Sequence, residues 1–450
     1  MTIYVGPQQT SLYVGALLAS GAYYGGSSVA NTLPLQIVSS RGEVNAIEGG
    51  AVTSTNVKQT GRSRHYLGTQ DVTEFQVGFN GFFVDSATAG NNYTCFEVDA
   101  SNSYTIRVAV EIGTTVKRLT FDGGNLEAVI TPGTLLKLTD PIKPSDFGLQ
   151  VFSKQTQIWI RCEREFVVGQ KGMFHQTASN SPTITGESYF VGATTATSQL
   201  MNTGALVTTG GWTQQSHIWL PYCILGRPVK KMLAAITFGA SIENGVGDGQ
   251  GDGLNGAGGY MRRMLANVNG NKIARLHLAK SGETVKSWVN NSAKRRYMLQ
   301  YCNHIFSGHG GNDYTTGESL ANTQTRWAQA WALMKATGAY VEHYALSPKS
   351  DSTDVWATLE NQTPRWGYET GGEFRDAGNA WCLAQVSPTG NLNGFIDLGS
   401  AQSPAGAPDK WRVDLGTPTT DGTHPTGVIT AAMAAANVNH IQELITNWEK

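Results

Sequence analysis

Between about residues 70 and 170 apolar and polar positions alternate, as at Ile106, Val108 and Val110 in SYTIRVAVEI and at Ile158, Ile160 and Cys162 in TQIWIRCERE. A period of two is that of a strand with one buried face. The runs are short and are broken by turn chemistry such as Asp122-Gly123-Gly124 and Thr131-Pro132-Gly133. Short strands joined by tight turns favour antiparallel pairing, so this region is expected to be an all-β, sandwich-like unit. The first 65 residues are rich in Gly, Ser and Thr with weak periodicity and read as an arm or edge extension.

After Arg227-Pro228 the period changes. The apolar run KMLAAITFG is followed by a glycine-rich turn and the helical stretch GYMRRMLANV. Further strands are expected in IARLHLA, NHIFSG, YVEHYALS and GFIDLG. Helices are expected in ETVKSWVNNSAKRRYMLQY, around Trp327 to Met334, and through the final ITAAMAAANVNHIQELITNW. Strands that alternate with helices imply a parallel, doubly wound sheet, whose site lies beyond the carboxyl ends of the strands. The expected organisation is thus multi-domain, with an arm at 1–65, a β-rich accessory domain at 66–228 and an α/β domain at 229–450.

Three of those strand ends carry polar motifs. The first runs into Phe238-Gly239-Ala240-Ser241, which places a serine in a turn where free backbone amides can receive a developing oxyanion. The second ends in Ala279-Lys280-Ser281-Gly282, where a glycine lets an N–H approach a reacting carbonyl with no side chain between them. The third enters Gly308-His309-Gly310-Gly311-Asn312-Asp313, which presents the Asn312 amide above the sheet. Before the last helix, Asp421-Gly422-Thr423-His424-Pro425 spaces an acid and an imidazole so that Asp421 can bond one ring nitrogen while the other faces Ser241.

The four motifs, in this order, resemble the blocks of the SGNH (GDSL-like) hydrolase superfamily over roughly residues 231–450. The resemblance implies a flavodoxin-like sheet and a serine esterase that needs no cofactor or metal. It implies Ser241 as nucleophile, His424 as base, Asp421 as the group that orients it, and an oxyanion hole from the Ser241 and Gly282 amides with Asn312. This chain departs from the family pattern at Ala240, which replaces the aspartate of G-D-S. The serine turn then needs another brace, and Asp313 and Glu243 are the candidates.

Composition narrows the substrate. The chain of 450 residues has 33 basic and 34 acidic side chains, a net charge of -1, so no broad field would draw it to nucleic acid or to an anionic membrane. Only 15% of residues are charged while glycine numbers 53, a balance common in proteins that handle carbohydrate. With the β-rich first half, similar to the accessory sandwiches of carbohydrate esterases, this favours O-acetyl groups on a polysaccharide or oligosaccharide, or another short-chain ester. Two other readings compete: a non-catalytic structural or carbohydrate-binding protein, such as a phage-tail or surface component, and an O-acyltransferase.

The remaining candidates are weaker. Five scattered cysteines without C-x-x-C spacing predict buried thiols. Asp248 and Asp252 have the spacing of a calcium loop, but Gly259 stands where its bidentate acid is required, and no metal is expected. His309 adjoins the Asn312 motif and either lines the site or packs at the surface. Trp356, Trp366, Tyr368, Trp381 and Trp411 either stack on sugar rings or anchor the long stretch between Ser347 and Asp421. The opening MTIYVGPQQT lacks a basic segment followed by an apolar run, so the expected protein is soluble, either cytoplasmic or carried outside by a particle or by lysis.

Overall fold

The computed structural model describes residues 33–87, 94–175, 185–215, 219–249 and 258–450, together with the backbone of a small ladder between Tyr23–Tyr24 and Ser27–Ser28. The chain is multi-domain in character, with many antiparallel strands in its first half and a parallel five-stranded sheet in its second.

The first half holds a seven-stranded and a four-stranded sheet. In the larger one Gln157–Glu165 lies between Tyr104–Ile112 and Lys58–Tyr66, and Lys58–Tyr66 pairs on its other side with Ser188–Gly192. The smaller runs Lys137–Leu138, Val72–Phe79, Cys223–Pro228, Gln36–Ile37. The alternating residues Ile106, Val108, Val110, Ile158 and Ile160 are buried and share a core cluster with Phe75 and Val77 of the smaller sheet. Lys58–Tyr66 spans the expected boundary at residue 65 as an interior strand of the larger sheet, Gln36–Ile37 pairs in the smaller one, and Ile47–Ala51 forms a separate ladder with Lys171–Phe174. No periodicity marks this strand, because Lys58–Tyr66 is KQTGRSRHY, a polar strand that buries Arg62 against Glu111 at 3.0 Å.

In the second half every expected strand is present, each shorter than its apolar run: Ala234–Phe238, Ala274–His277, His304–Ser307, Tyr340–Tyr344 and Gly394–Ile396. All pairs are parallel, and by sequence the order across the sheet is second, first, third, fourth, fifth. The order reverses between the first and third strands, and such a reversal opens a crevice at the carboxyl ends. Alternate strand residues enter different clusters. Ala235, Phe306 and Tyr344 pack with Tyr260–Ala266 and the C-terminal helices, whereas Ile236, Ile305 and Val341 pack with Trp288, Trp327 and Trp331.

Two expected helices are broken. ETVKSWVNNSAKRRYMLQY folds as Val285–Asn291, Ala293–Arg296 and the 3-10 turn Tyr297–Tyr301. The Ser292 hydroxyl donates to Trp288 O, a local bond that competes with the helix ladder. The C-terminal helix divides at Asn437, whose side-chain amide donates to Met433 O at 2.9 Å, into Gly427–Ala436 and Val438–Trp448.

The halves are in direct contact. The hairpin of Phe82–Ala87 and Thr94–Asp99 lies on helix Val285–Asn291. Buried Arg295 reaches both Glu97 of the hairpin and Glu283 of the second half, at 3.1 and 2.6 Å. All five cysteines are free, and no described helix is long and apolar enough to cross a membrane.

Candidate active site

Ser241 follows the strand Ala234–Phe238 by three residues, in a series of turns in which Asn244 N donates to Ala240 O and Val246 N to Ser241 O. The Ser241 hydroxyl lies 2.7 Å from His424 Nε2, and His424 Nδ1 lies 2.6 Å from Asp421 Oδ2. The other Asp421 oxygen accepts the N–H groups of Thr423 and His424 at 2.9 and 2.8 Å. Burial works against the Asp421 charge, but the hydrogen bonds from the imidazole and these amides hold its pKa down to about 2. The acid is therefore ionised at any working pH and fixes the ring so that Nε2 faces the hydroxyl. The loop depends on Gly422: its φ is +77° and a Cβ there would stand 1.8 Å from Ser350 O. Arg365 locks the same loop by donating to Thr423 Oγ1 and Asp421 O at 2.8 and 2.9 Å.

Gly282 and Asn312 line one cleft with Ser241 and His424. Among the described residues nothing takes the N–H of Ser241 or of Gly282. Asn312 is in the first turn of the short helix Gly311–Thr315, where the sequence suggested a loop. One of its two amide hydrogens goes to Glu283 O at 3.1 Å. Next to it, buried Asp313 accepts the N–H of Val285 at 2.9 Å and of Lys286 at 3.3 Å and so caps helix Val285–Asn291. Asn312 and Asp313 therefore clamp the segment that carries Gly282. Burial pushes Asp313 up to about 7, against the pull of those amides.

Of the two candidates for the missing aspartate, the one that reaches the serine turn is Glu243. Its Oε2 accepts Ala240 N–H at 2.8 Å and its Oε1 accepts the Tyr260 hydroxyl at 3.2 Å. A Cβ on Gly239 would stand 2.2 Å from Glu243 Cγ, so the glycine before Ala240 makes the space this side chain fills. Burial raises Glu243 to about 7. Asp313, the other candidate, is engaged with the helix.

His309 is fully buried, with Nε2 3.2 Å from Glu283 Oε2 and Nδ1 3.3 Å from Ser307 Oγ, so it neither lines the cleft nor packs at the surface. The imidazole stiffens the carboxylate network beneath the Gly282 segment. Asp248 is held by Arg263 at 2.7 Å, Gly259 N–H at 2.6 Å and the Thr430 hydroxyl at 2.9 Å, an internal tie and not an open ligand. Asp252, the other member of that motif, is outside the described residues. Among the described residues no group of three or more His, Cys, Asp or Glu could hold a metal ion.

Most other groups at the cleft were not legible in the sequence. Ser86 comes from the hairpin of the first half, Tyr314 follows the Asn312-Asp313 pair, and Lys349, Phe374 and Glu373 come from segments with no motif; Tyr368, one of the aromatic residues that the sequence offered for sugar stacking, lines the cleft with them. Lys349 Nζ donates to Gly311 O at 2.9 Å, and burial lowers its pKa to about 8. Lys349, Tyr368, Glu373 and Phe374 reach the site through the path of the long crossing between the fourth strand and Asp421, Tyr314 through the short helix that also carries Asn312.

No family model matches the chain, and no curated protein matches it. Solved structures similar to it include a family two carbohydrate esterase from Clostridium thermocellum, as an active-site mutant, with 11% identity over 90% of this chain and 100% of that one at a TM-score of 0.36. A member of the lipolytic G-D-S-L family from Veillonella parvula is 16% identical over 47% of this chain and 100% of its own, with a TM-score of 0.35. A lipase from a goat rumen metagenome is 15% identical over 45% of this chain and 94% of its own, with a TM-score of 0.32.

Proposed function

We propose that the chain is a serine esterase of the SGNH kind that removes acyl groups, foremost O-acetyl, from a carbohydrate or another short-chain ester. In this reading a doubly wound, flavodoxin-like domain over about 229–450 carries the site and the sandwich-like β half supports it. The observation that carries the reading is the hydrogen-bonded chain from Ser241 through His424 to Asp421 beyond a strand's carboxyl end, 2.7 and then 2.6 Å long.

Ser241 Oγ attacks the ester carbonyl carbon while its proton passes to His424 Nε2. The carbonyl oxygen takes the negative charge and accepts the N–H groups of Ser241 and Gly282 and the remaining amide hydrogen of Asn312. When the tetrahedral species collapses, the C–O bond to the alcohol breaks, and that alcohol leaves with the proton held by His424. Water then gives a proton to His424 and attacks the acyl-enzyme, which releases the acid and restores Ser241. Asp421 stays ionised throughout and stabilises the imidazolium.

The test is acetate release from an acetylated polysaccharide and from a short-chain chromogenic ester, with wild type and Ser241→Ala side by side. Release by the wild type that disappears in the variant is the expected result. Equal release by both proteins, or none from either substrate, would reject the esterase.

A further inference from the structure

Four tryptophans in the crossing before Asp421 had two competing uses, and the structure separates them. Trp411 is fully buried and donates to Gly422 O at 3.0 Å. Trp381 stacks 5.6 Å from Trp331 beside the core, and Trp356 donates to Ser350 Oγ at 3.1 Å. These three anchor the crossing. Trp366 is 70% exposed and lines the cleft that holds Ser241 and His424.

Its exposure is built and not incidental. One face of the indole is stacked on Tyr314 with ring centres 5.3 Å apart and planes inclined by 29°. Tyr314 rests in turn on buried Phe374, with ring centres 4.3 Å apart. The preceding residue, Arg365, is tied to Thr423, Asp421 and Asp351. The indole at the cleft is thus held by a stacked ring on one side and largely exposed, and its ordering costs little on binding.

We propose that Trp366 is the platform of a sugar-ring subsite: a neutral pyranose lies on its open face while the ester borne by the sugar reaches Ser241. This rests on the esterase reading and names its alcohol side. A pyranose has an apolar C–H face that suits an aromatic plane and peripheral hydroxyls that need acceptors. Glu318 and Glu373 line the same cleft and supply acceptors, with the cationic Lys349 and Arg365 beside them, so both signs of charge are present and the site suits a neutral sugar. The cleft, at 1090 Å³, is far larger than an acetyl ester requires and has room for ring units beyond the reacting one.

The test compares wild type, Trp366→Ala and Trp366→Tyr on acetylated xylo-, gluco- and manno-oligosaccharides, on phenyl acetate and on ethyl acetate. The selectivity for sugar ester over ethyl acetate, as a ratio of kcat/KM values, should fall by roughly tenfold in Trp366→Ala, mainly through KM, and recover in Trp366→Tyr. Calorimetric titration of the same oligosaccharides into Ser241→Ala, with and without Trp366→Ala, measures binding without turnover, so failure of the esterase reading is separable from failure of the subsite. An unchanged ratio with equal binding would overturn the proposal. Equal loss on all esters would make Trp366 a support of the Asp421 loop, and a selectivity change confined to phenyl acetate would make the platform an aryl site; either result also rejects the sugar subsite.

Discussion

Asn312 and Glu243 show at the residue scale how one side chain can be used twice. Asn312 spends one amide hydrogen on Glu283 O and lines the cleft, so in the proposed mechanism its removal takes away an oxyanion donor and loosens the Gly282 segment together. Asn312→Ala should lower kcat by roughly a hundredfold or more with a smaller change in KM, as steady-state kinetics on a short-chain ester would show. Glu243 braces the serine turn from three residues beyond Ala240, because an acceptor for Ala240 N–H can come from any side chain that reaches it. Glu243→Gln keeps that acceptor and should retain activity within a few fold. Glu243→Ala leaves a buried N–H unpaired, at a cost of about 1–3 kcal/mol, and should lose both stability and turnover.

The Glu243 charge sets a pH dependence whose sign follows from its raised pKa. Its ordinary value is 4.5 and burial holds it near 7, so the fold favours the protonated acid. That contribution is whole below the ordinary value and is lost as the pH rises through about 7. Asp313 is raised to about 7 and acts in the same direction, while Lys349, lowered to about 8, acts in the opposite one. The difference between wild type and Glu243→Gln isolates the one group. Thermal melts should show wild-type stability falling relative to the Gln variant between about pH 5 and pH 8, and parallel curves would count against a buried titrating carboxyl at this position.

At the scale of elements, helix Val285–Asn291 joins the site to the core. Its N-terminus is capped twice, by Thr284 Oγ1 accepting Ser287 N–H at 3.0 Å and by Asp313 accepting the first two amides. Asp313→Ala should cost about 1–2 kcal/mol in denaturant melts and lower kcat as well, because Gly282 lies just before the cap. Gly422→Ala should abolish turnover while the far-UV spectrum stays native, since its Cβ would displace the Asp421–His424 loop from Ser350 O. A cap and a turn glycine look alike in sequence whether or not they serve a site. Their neighbours in space make the difference.

For the whole molecule, the two halves share buried polar ties as well as apolar contact. Arg262 pairs with Glu43 at 2.9 Å, and Arg275 N and His277 N donate to Ser39 O and Gly42 O. Ser86 brings the first half to the cleft itself. Residues 229–450 made alone would leave Arg262 without its partner Glu43, leave Arg295 with Glu283 but without Glu97, and uncover the faces under 36–45 and under the strands Phe82–Ala87 and Thr94–Asp99. The fragment should show weak near-UV dichroism and aggregate, while the full chain stays monodisperse in gel filtration. A stable, active fragment would show instead that the β half is a separate appendage.

The sequence by itself determined the local alphabet of this protein. Period-two runs marked the core strands around Ile106 and Ile160, alternation of strand and helix after residue 228 marked the parallel sheet, and four motifs placed Ser241, Gly282, Asn312 and the Asp421–His424 pair in order. Each depends on neighbours within a few residues, and local patterns record such dependence. Tertiary structure decided the rest: that polar Lys58–Tyr66 is an interior strand, that Glu243 and not Asp313 braces the serine turn, and that Trp366 faces the cleft while Trp411 is buried. Burial of a charge, a choice between two carboxylates and the exposure of an indole are set by residues tens to hundreds of positions away. Close packing brings them together, and no window along the chain contains both partners.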